Sequence, residues 1–325
     1  MSLSCLFHVK RDKESQSRPP PPTIYTDVVW CGDRSGSMSS MGGSPEEGAE
    51  NFMRDHKLNA EKMNNLNGYY IEFTTFDNNS TIIYSKDACE MTEPDIANAK
   101  VGMIPRGTTK FYDTAIECLM RQRERLDIIK NNLTPQQKEL YYENSHLINA
   151  VFATFTDGYD NCSIADAETL KRIVKEQENE YGVVCMFLAA NISAEECGEQ
   201  FGFQSDYCMQ MGSDRQSSGN ALRSCTAAMT RAVTQSRTAS GFTQFEREIS
   251  SGIINNTNVT LVTPPTMTRQ PNRYGMLRQP AFNFQTQATP PIVPAVPVNT
   301  PDVSPLSIPT ITPAAAAAIA GAFRL

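Results

Sequence analysis

Residues 26–37 read Thr-Asp-Val-Val-Trp-Cys-Gly-Asp-Arg-Ser-Gly-Ser, a β-branched and aromatic run that stops in a polar, glycine-bearing loop. A short apolar run bounded by turn residues is the pattern of a buried strand. The layout returns at residues 148–155, which end in Thr156-Asp157-Gly158-Tyr159-Asp160-Asn161. Further runs cover 69–76, 80–84, 183–190 and, weakly, 206–209, and helical patterns separate most of them. Strands alternating with helices pack as stacked βαβ units, so the expected fold is α/β and doubly wound, with a mainly parallel central sheet and helices on both faces. Only 69–76 and 80–84 are joined by a tight turn, Asp77-Asn78-Asn79, which predicts a hairpin and one antiparallel edge strand.

Helix starts are marked by capping residues. Ser44-Pro45-Glu46-Glu47 offers an N-cap serine, a first-turn proline and a glutamate three positions on, and Ala49, Phe52, Met53, His56, Ala60 and Met63 follow at helical spacing. This spacing puts His56 on a core-facing stripe. Thr134-Pro135-Gln136-Gln137 and Ser193-Ala194-Glu195-Glu196 repeat the device, and Ser163-Ile164-Ala165-Asp166 opens a helix expected to stop near Gly182. Residues 121–144 are charged and polar and read as a surface insertion or a helix extension.

Proline sets the expected boundaries. Of 20 prolines, four lie at 19–22 and twelve between 264 and 313, which leaves four for the whole middle of the chain. The reading is a disordered segment over 1–22, one folded domain over 23–248, and a disordered Pro/Thr/Gln/Asn-rich tail over 249–325 with a short alanine-rich end. The full chain carries a net charge of −7. The tails are slightly basic, so residues 23–250 hold 33 acidic against 21 basic side chains. Such acidity argues against a nucleic-acid partner, which needs a basic face, and suits a collector of cations. No apolar stretch is long enough to span a membrane, and the first nine residues make a poor leader, with their basic residues after the apolar run rather than before it. Nine scattered cysteines without a Cys-x-x-Cys pair suggest reduced thiols and an intracellular, cytoplasmic location, with a virion as the other possible setting.

Three polar clusters stand where open α/β sheets place their ligands, beyond the carboxyl ends of strands. They are Asp33-Arg34-Ser35-Gly36-Ser37, Gly107-Thr108-Thr109 before a helix, and Thr156-Asp157-Gly158. If they converge, two carboxylates and three hydroxyls form an all-oxygen donor set suited to Mg²⁺ or Mn²⁺. Hydroxyls are neutral, so the ion would keep much of its charge and could accept a carboxylate from a partner.

The D-x-S-x-S of Asp33 to Ser37, Thr109 four residues before Asp113, and the Thr156-Asp157-Gly158 triplet resemble the von Willebrand factor A domain with its metal-ion-dependent adhesion site. That resemblance implies a Rossmann-like α/β fold over about residues 24–240. It also implies Ser35, Ser37 and Thr109 as direct metal ligands, with Asp33 and Asp157 acting through water or balancing charge. Thr108 is the alternative to Thr109; the spacing to Asp113 favours Thr109. The later segment, Phe187 to Asn191 followed by Gly198, Gly202 and Phe203, is similar to intracellular bacterial and phage members, although Ser193 stands where some of those carry an acid. The implied function is cation-dependent recognition of a protein with an exposed Asp or Glu, with no catalysis.

Other functions find less in these residues. Ser35 lacks the flanking glycines of a nucleophile elbow, and no histidine is near the clusters in sequence, which weakens a metal-dependent hydrolase. Neither a G-x-x-x-x-G-K-[ST] nor a G-x-G-x-x-G loop is present for a nucleotide. A structural or virion component assembled through the proline-rich tail is the remaining alternative. Asp160 and Asn161 read as loop and capping residues.

Overall fold

The computed structural model describes residues 24–63, 68–143, 148–234 and 241–253. The expected segment 1–22, residues 254–325 of the expected tail 249–325 with its alanine-rich end, and His146 lie outside the described residues.

Among the described residues, six strands form one sheet: β1 (Tyr25–Asp33), β2 (Tyr69–Phe76), β3 (Ser80–Asp87), β4 (Ile148–Thr156), β5 (Val184–Ala189) and β6 (Cys208–Gln210). Their order is β3-β2-β1-β4-β5-β6. Every pairing is parallel except β2 with β3, so the antiparallel edge expected from the Asp77-Asn78-Asn79 turn is present. Strand order reverses at β1, which lies between β2 and β4. The crevice at that switch point, beyond the carboxyl ends of β1 and β4, is where such sheets bind ligands.

Among the described residues, eight α-helices surround the sheet: α1 (Ser44–Lys62), α2 (Glu93–Gly102), α3 (Phe111–Asn131), α4 (Pro135–Glu143), α5 (Ala167–Glu176), α6 (Ala194–Phe201), α7 (Arg215–Thr234) and α8 (Gln244–Ser250). All nine residues of β1 are buried, as a central strand roofed on both faces must be. Val28 and Trp30 face α1, α2 and α7, in a cluster with Phe52, Ile96 and Met229. Trp30 packs 4.7 Å from the Phe52 ring and 5.2 Å from Phe155. Val29 and Cys31 face the other way, into a cluster with Phe111 and Leu126 of α3, Leu170 of α5 and Phe201 of α6.

Of the two readings of the polar stretch after Arg121, the helix extension holds: it continues α3 to Asn131, and α4 follows. Gln122, Arg125, Leu126 and Ile129 are buried because α3 lies across two acids of the sheet, Asp27 on β1 and Glu72 on β2. Arg125 donates from Nε to Asp27 Oδ2 at 2.7 Å and from Nη1 to Glu72 Oε2 at 2.7 Å. Arg121 adds a 2.7 Å bond to Glu72 Oε1, and Gln122 donates to Asp27 Oδ1 at 3.0 Å. Polar sequence here signals a buried network with its charges matched.

Two helix starts differ from expectation. Ser44 is the first residue of α1 rather than its cap; its hydroxyl donates to Met41 O and meets Ser218 Oγ at 2.6 Å, tying α1 to α7. Asp166, not Ser163, caps α5, accepting from Thr169 N at 2.8 Å. Past Glu176 a single π turn carries the chain to Gly182, whose φ of +64° ends the helix there, as expected. The expected boundary at 248 falls inside α8, where Ile249 and Ser250 are buried. His56 is buried on α1 with its Nδ1 2.7 Å from the Tyr69 hydroxyl, and burial pushes its pKa down to about 3.

Arg125→Met should cost about 3–5 kcal/mol in urea unfolding, because Asp27 and Glu72 lose their shared partner while remaining buried. His56 should make the fold acid-sensitive. The unfolded residue takes up a proton below about pH 6.5 and the folded one does not, so its contribution is complete above that pH and falls as pH drops toward 3. Within that window the loss is about 1.4 kcal/mol per pH unit, and the unfolding free energy of His56→Gln, measured from pH 7 to 4, should fall less steeply than that of the wild type.

Candidate metal centre

The site starts at the last residue of β1. Asp33 is fully buried, and its Oδ1 accepts from Ser35 N at 2.7 Å, which turns the chain immediately after the strand. Arg34 points away into the sheet edge: its Nε donates to Asp77 Oδ2 at 3.0 Å and its Nη1 to Gly102 O at 3.1 Å. With that side chain anchored, the flanking hydroxyls of Ser35 and Ser37 come within 3.1 Å of each other. Ser37 in turn donates to Asp157 Oδ1 at 2.7 Å, across from the end of β4. Four of the five expected site residues therefore form one continuous chain of polar contacts.

Thr109, the fifth, is held against this chain by backbone. Gly36 N donates to Gly107 O at 3.1 Å, Thr109 N donates to Asn161 Oδ1 at 3.0 Å, and Asn161 N returns a bond to Thr109 O at 3.1 Å. Gly107 sits at φ +72°, where a Cβ would also lie 2.7 Å from Asn78 Oδ1, so glycine is required for this approach. Thr109 is buried and its hydroxyl makes no hydrogen bond among the described residues, whereas Thr108 is exposed and donates to Cys162 Sγ at 3.3 Å.

Three residues to which the sequence assigns no role at the site support it. Thr156 donates to Asp33 Oδ2 at 2.6 Å and so fixes the second oxygen of that carboxylate. Asn161, expected only as a loop or capping residue, spans to Thr109. Asn191, at φ +58°, donates to Asp157 O at 3.3 Å from beyond β5. Thr156 had a signal in its place just before Asp157; Asn161 had none, because its partner is 52 residues away. Asp160 does cap, accepting from Tyr112 N in the first turn of α3 at 3.0 Å.

The electrostatics of this cluster are unbalanced. Neither Asp33 nor Asp157 has an ion pair among the described residues. Burial pushes Asp33 up to about 6, against the pull of hydrogen bonds from Thr156 and Ser35, and the charge of Asp157 adds to the rise. Burial also raises Asp157, whose Oδ2 is buried without a hydrogen-bond partner among the described residues. A buried carboxylate left this way must take a proton or meet a cation. Two carboxylates among hydroxyl oxygens, without sulfur or imidazole, fit a hard divalent ion. Among the described residues no three His, Cys, Asp or Glu side chains are grouped to hold a metal, so any ion here depends on the hydroxyls for its remaining ligands.

No protein-family model matches the chain, and no curated protein does. Among solved structures it is similar to proximal thread matrix protein 1 from the mussel byssus with a zinc-occupied MIDAS motif, at 16% identity over 67% of this chain and 46% of that one, TM-score 0.41. It is also similar to a von Willebrand factor type A structure from Catenulispora acidiphila, at 12% identity over 65% and 43%, TM-score 0.41. A third is the pilus adhesin SpaC from Lactobacillus rhamnosus GG, at 11% identity over 66% and 31%, TM-score 0.43. The chain spans less than half the length of each of these structures.

The raised Asp33 predicts a pH signature in chelator. The folded carboxyl holds its proton more tightly than the unfolded one, so its contribution is complete below about 3.8 and is lost as pH rises through about 6. In EDTA, the stability of the wild type relative to Asp33→Asn should therefore be lower at pH 7.5 than at pH 4.5, by about 2 kcal/mol, as read from urea unfolding at the two pH values.

Proposed function

We propose that this chain is a von Willebrand factor A-type recognition domain in which a divalent cation at the switch point binds a carboxylate of a partner protein. Ser35, Ser37 and Thr109 would hold the ion directly, with Asp33 and Asp157 behind them as water-mediated or charge-balancing groups. The observation that carries this reading is the partnerless, buried Oδ2 of Asp157, beside an Oδ1 already engaged by Ser37. An oxygen so placed costs stability in a protein that never meets a cation. Mg²⁺ is the ion that the donor chemistry favours, with Mn²⁺ close to it.

The recognition step follows from charge. Neutral hydroxyls supply much of the coordination, so the ion keeps enough positive charge to draw an Asp or Glu from outside. The protein residues hold and orient; none is assigned to proton transfer or nucleophilic attack. His56, the one histidine among the described residues, is engaged with Tyr69 in the core.

Calorimetric titration with Mg²⁺ tests the site. The wild type should bind the ion, and Asp33→Ala combined with Asp157→Ala should show no binding heat while keeping its far-ultraviolet circular dichroism. Unchanged affinity in the double variant would remove these residues from the site. Turnover of an ester or phosphoester in Mg²⁺, lost in Asp157→Asn, would instead make the centre catalytic.

A further inference from the structure

Five large apolar side chains are more than half exposed among the described residues, and three of them stand on the loops around the metal centre: Ile104 at 54%, Tyr159 at 65% and Ile164 at 94%. Tyr159 lies two residues beyond Asp157. The backbone beneath Ile164 is tied down, since Asp113 accepts from Ile164 N at 3.0 Å and from Ala165 N at 2.8 Å. A fixed backbone that holds an isoleucine in water spends apolar surface that folding has not buried.

On the segment of Ile104, next to Gly107, stands Arg106. Its N–H donates to Arg34 O at 2.6 Å and its Nε to Asp77 Oδ2 at 2.8 Å. Asp77 also receives Arg34 Nε at 3.0 Å, so one carboxylate lies between two guanidiniums and the trio carries one positive charge in excess. The Arg106 side chain is 64% exposed, and its two terminal nitrogens make no hydrogen bond among the described residues. A guanidinium anchored through Nε with its outer edge free is ready for a bidentate carboxylate.

We infer that the partner is a protein segment with two carboxylates, one for the ion and one for Arg106, and an apolar side chain that packs on Tyr159 and Ile164. Arg106 and this apolar pair set specificity, whereas the metal supplies the common anchor. The inference rests on the metal-dependent reading above. Charge complementarity selects the second acid, because the excess positive charge is at Arg106, whereas Tyr159 and Ile164 on the segment after β4 carry no charge.

The probe is a random peptide library displayed on phage, selected on the immobilised full chain in Mg²⁺ and in EDTA, with Arg106→Gln and Tyr159→Ser/Ile164→Ser chains in parallel. The wild type should enrich, only in Mg²⁺, peptides with two acids beside an aromatic or aliphatic residue. The best of these, made synthetically, should bind Arg106→Gln about tenfold more weakly. Replacing its second acid by the amide should weaken binding to the wild type similarly but change binding to Arg106→Gln less than twofold, and the double serine variant should lose the apolar preference. Mg²⁺-dependent peptides with a single acid that bind Arg106→Gln and wild type equally would overturn this inference and leave the metal reading standing. No Mg²⁺-dependent enrichment of acids in the wild type would overturn both. Melting curves separate lost recognition from lost folding: the double serine variant should match the wild type because its side chains are exposed, and Arg106→Gln should melt only slightly lower because Asp77 keeps Arg34.

Discussion

Two carboxylates buried at the ends of adjacent parallel strands, with no basic side chain among the described residues to neutralise them, set the terms for the rest of this domain. Asp33 and Asp157 come together because β1 and β4 are neighbours at the point where strand order reverses. The same sheet holds a second buried pair of acids, Asp27 and Glu72, and treats it differently: Arg125 and Arg121 reach in from α3 and match both charges. The fold can thus place arginines against buried acids. At the switch point it places hydroxyls there instead, and the nearest arginine of the loop, Arg34, is turned away to Asp77. A site that surrounds its acids with neutral oxygen donors keeps charge in reserve for a cation.

Rigidity serves that reserve. Each oxygen of Asp33 is fixed by a different segment, Ser35 from its own loop and Thr156 from β4. Asn161 couples the Thr109 loop to the loop after β4, and Asn191 couples that loop to the end of β5. Four separate segments are locked to one another before any ligand is considered. Preorganisation of this kind keeps the ordering entropy of the loops from being charged against binding.

Much of this was legible in the residues. Apolar runs that end in Asp-x-Ser-x-Ser and Thr-Asp-Gly locate both the strands and the clusters at their ends, because burial on two faces demands continuous apolar strands and leaves polarity for the loops. Of the two readings of residues 121–144, the helix extension holds as far as Asn131, but the burial of Arg125 and Gln122 is not legible, because polarity along a helix does not reveal that the sheet beneath it carries acids of its own. The site roles of Thr156 and Asn161 are not legible because they lie in partners far away in sequence, Asp33 and Thr109, which only the closed fold brings near. Ser44 and Asp166 show the limit of cap signals, where several residues within two or three positions can do the same local job and tertiary contacts choose between them.

The most direct test is the proton balance of ion binding. With Asp33 near 6, binding of a divalent cation at pH 6 must expel the proton that the buried carboxyl holds about half the time. Calorimetry with Mg²⁺ in buffers of different ionisation enthalpy should show release of about half a proton per ion at pH 6, vanishing by pH 8. Mg²⁺ binding with no proton release at pH 6, or release that persists unchanged in Asp33→Ala, would contradict a cation-balanced pair of buried carboxylates as the basis of this site.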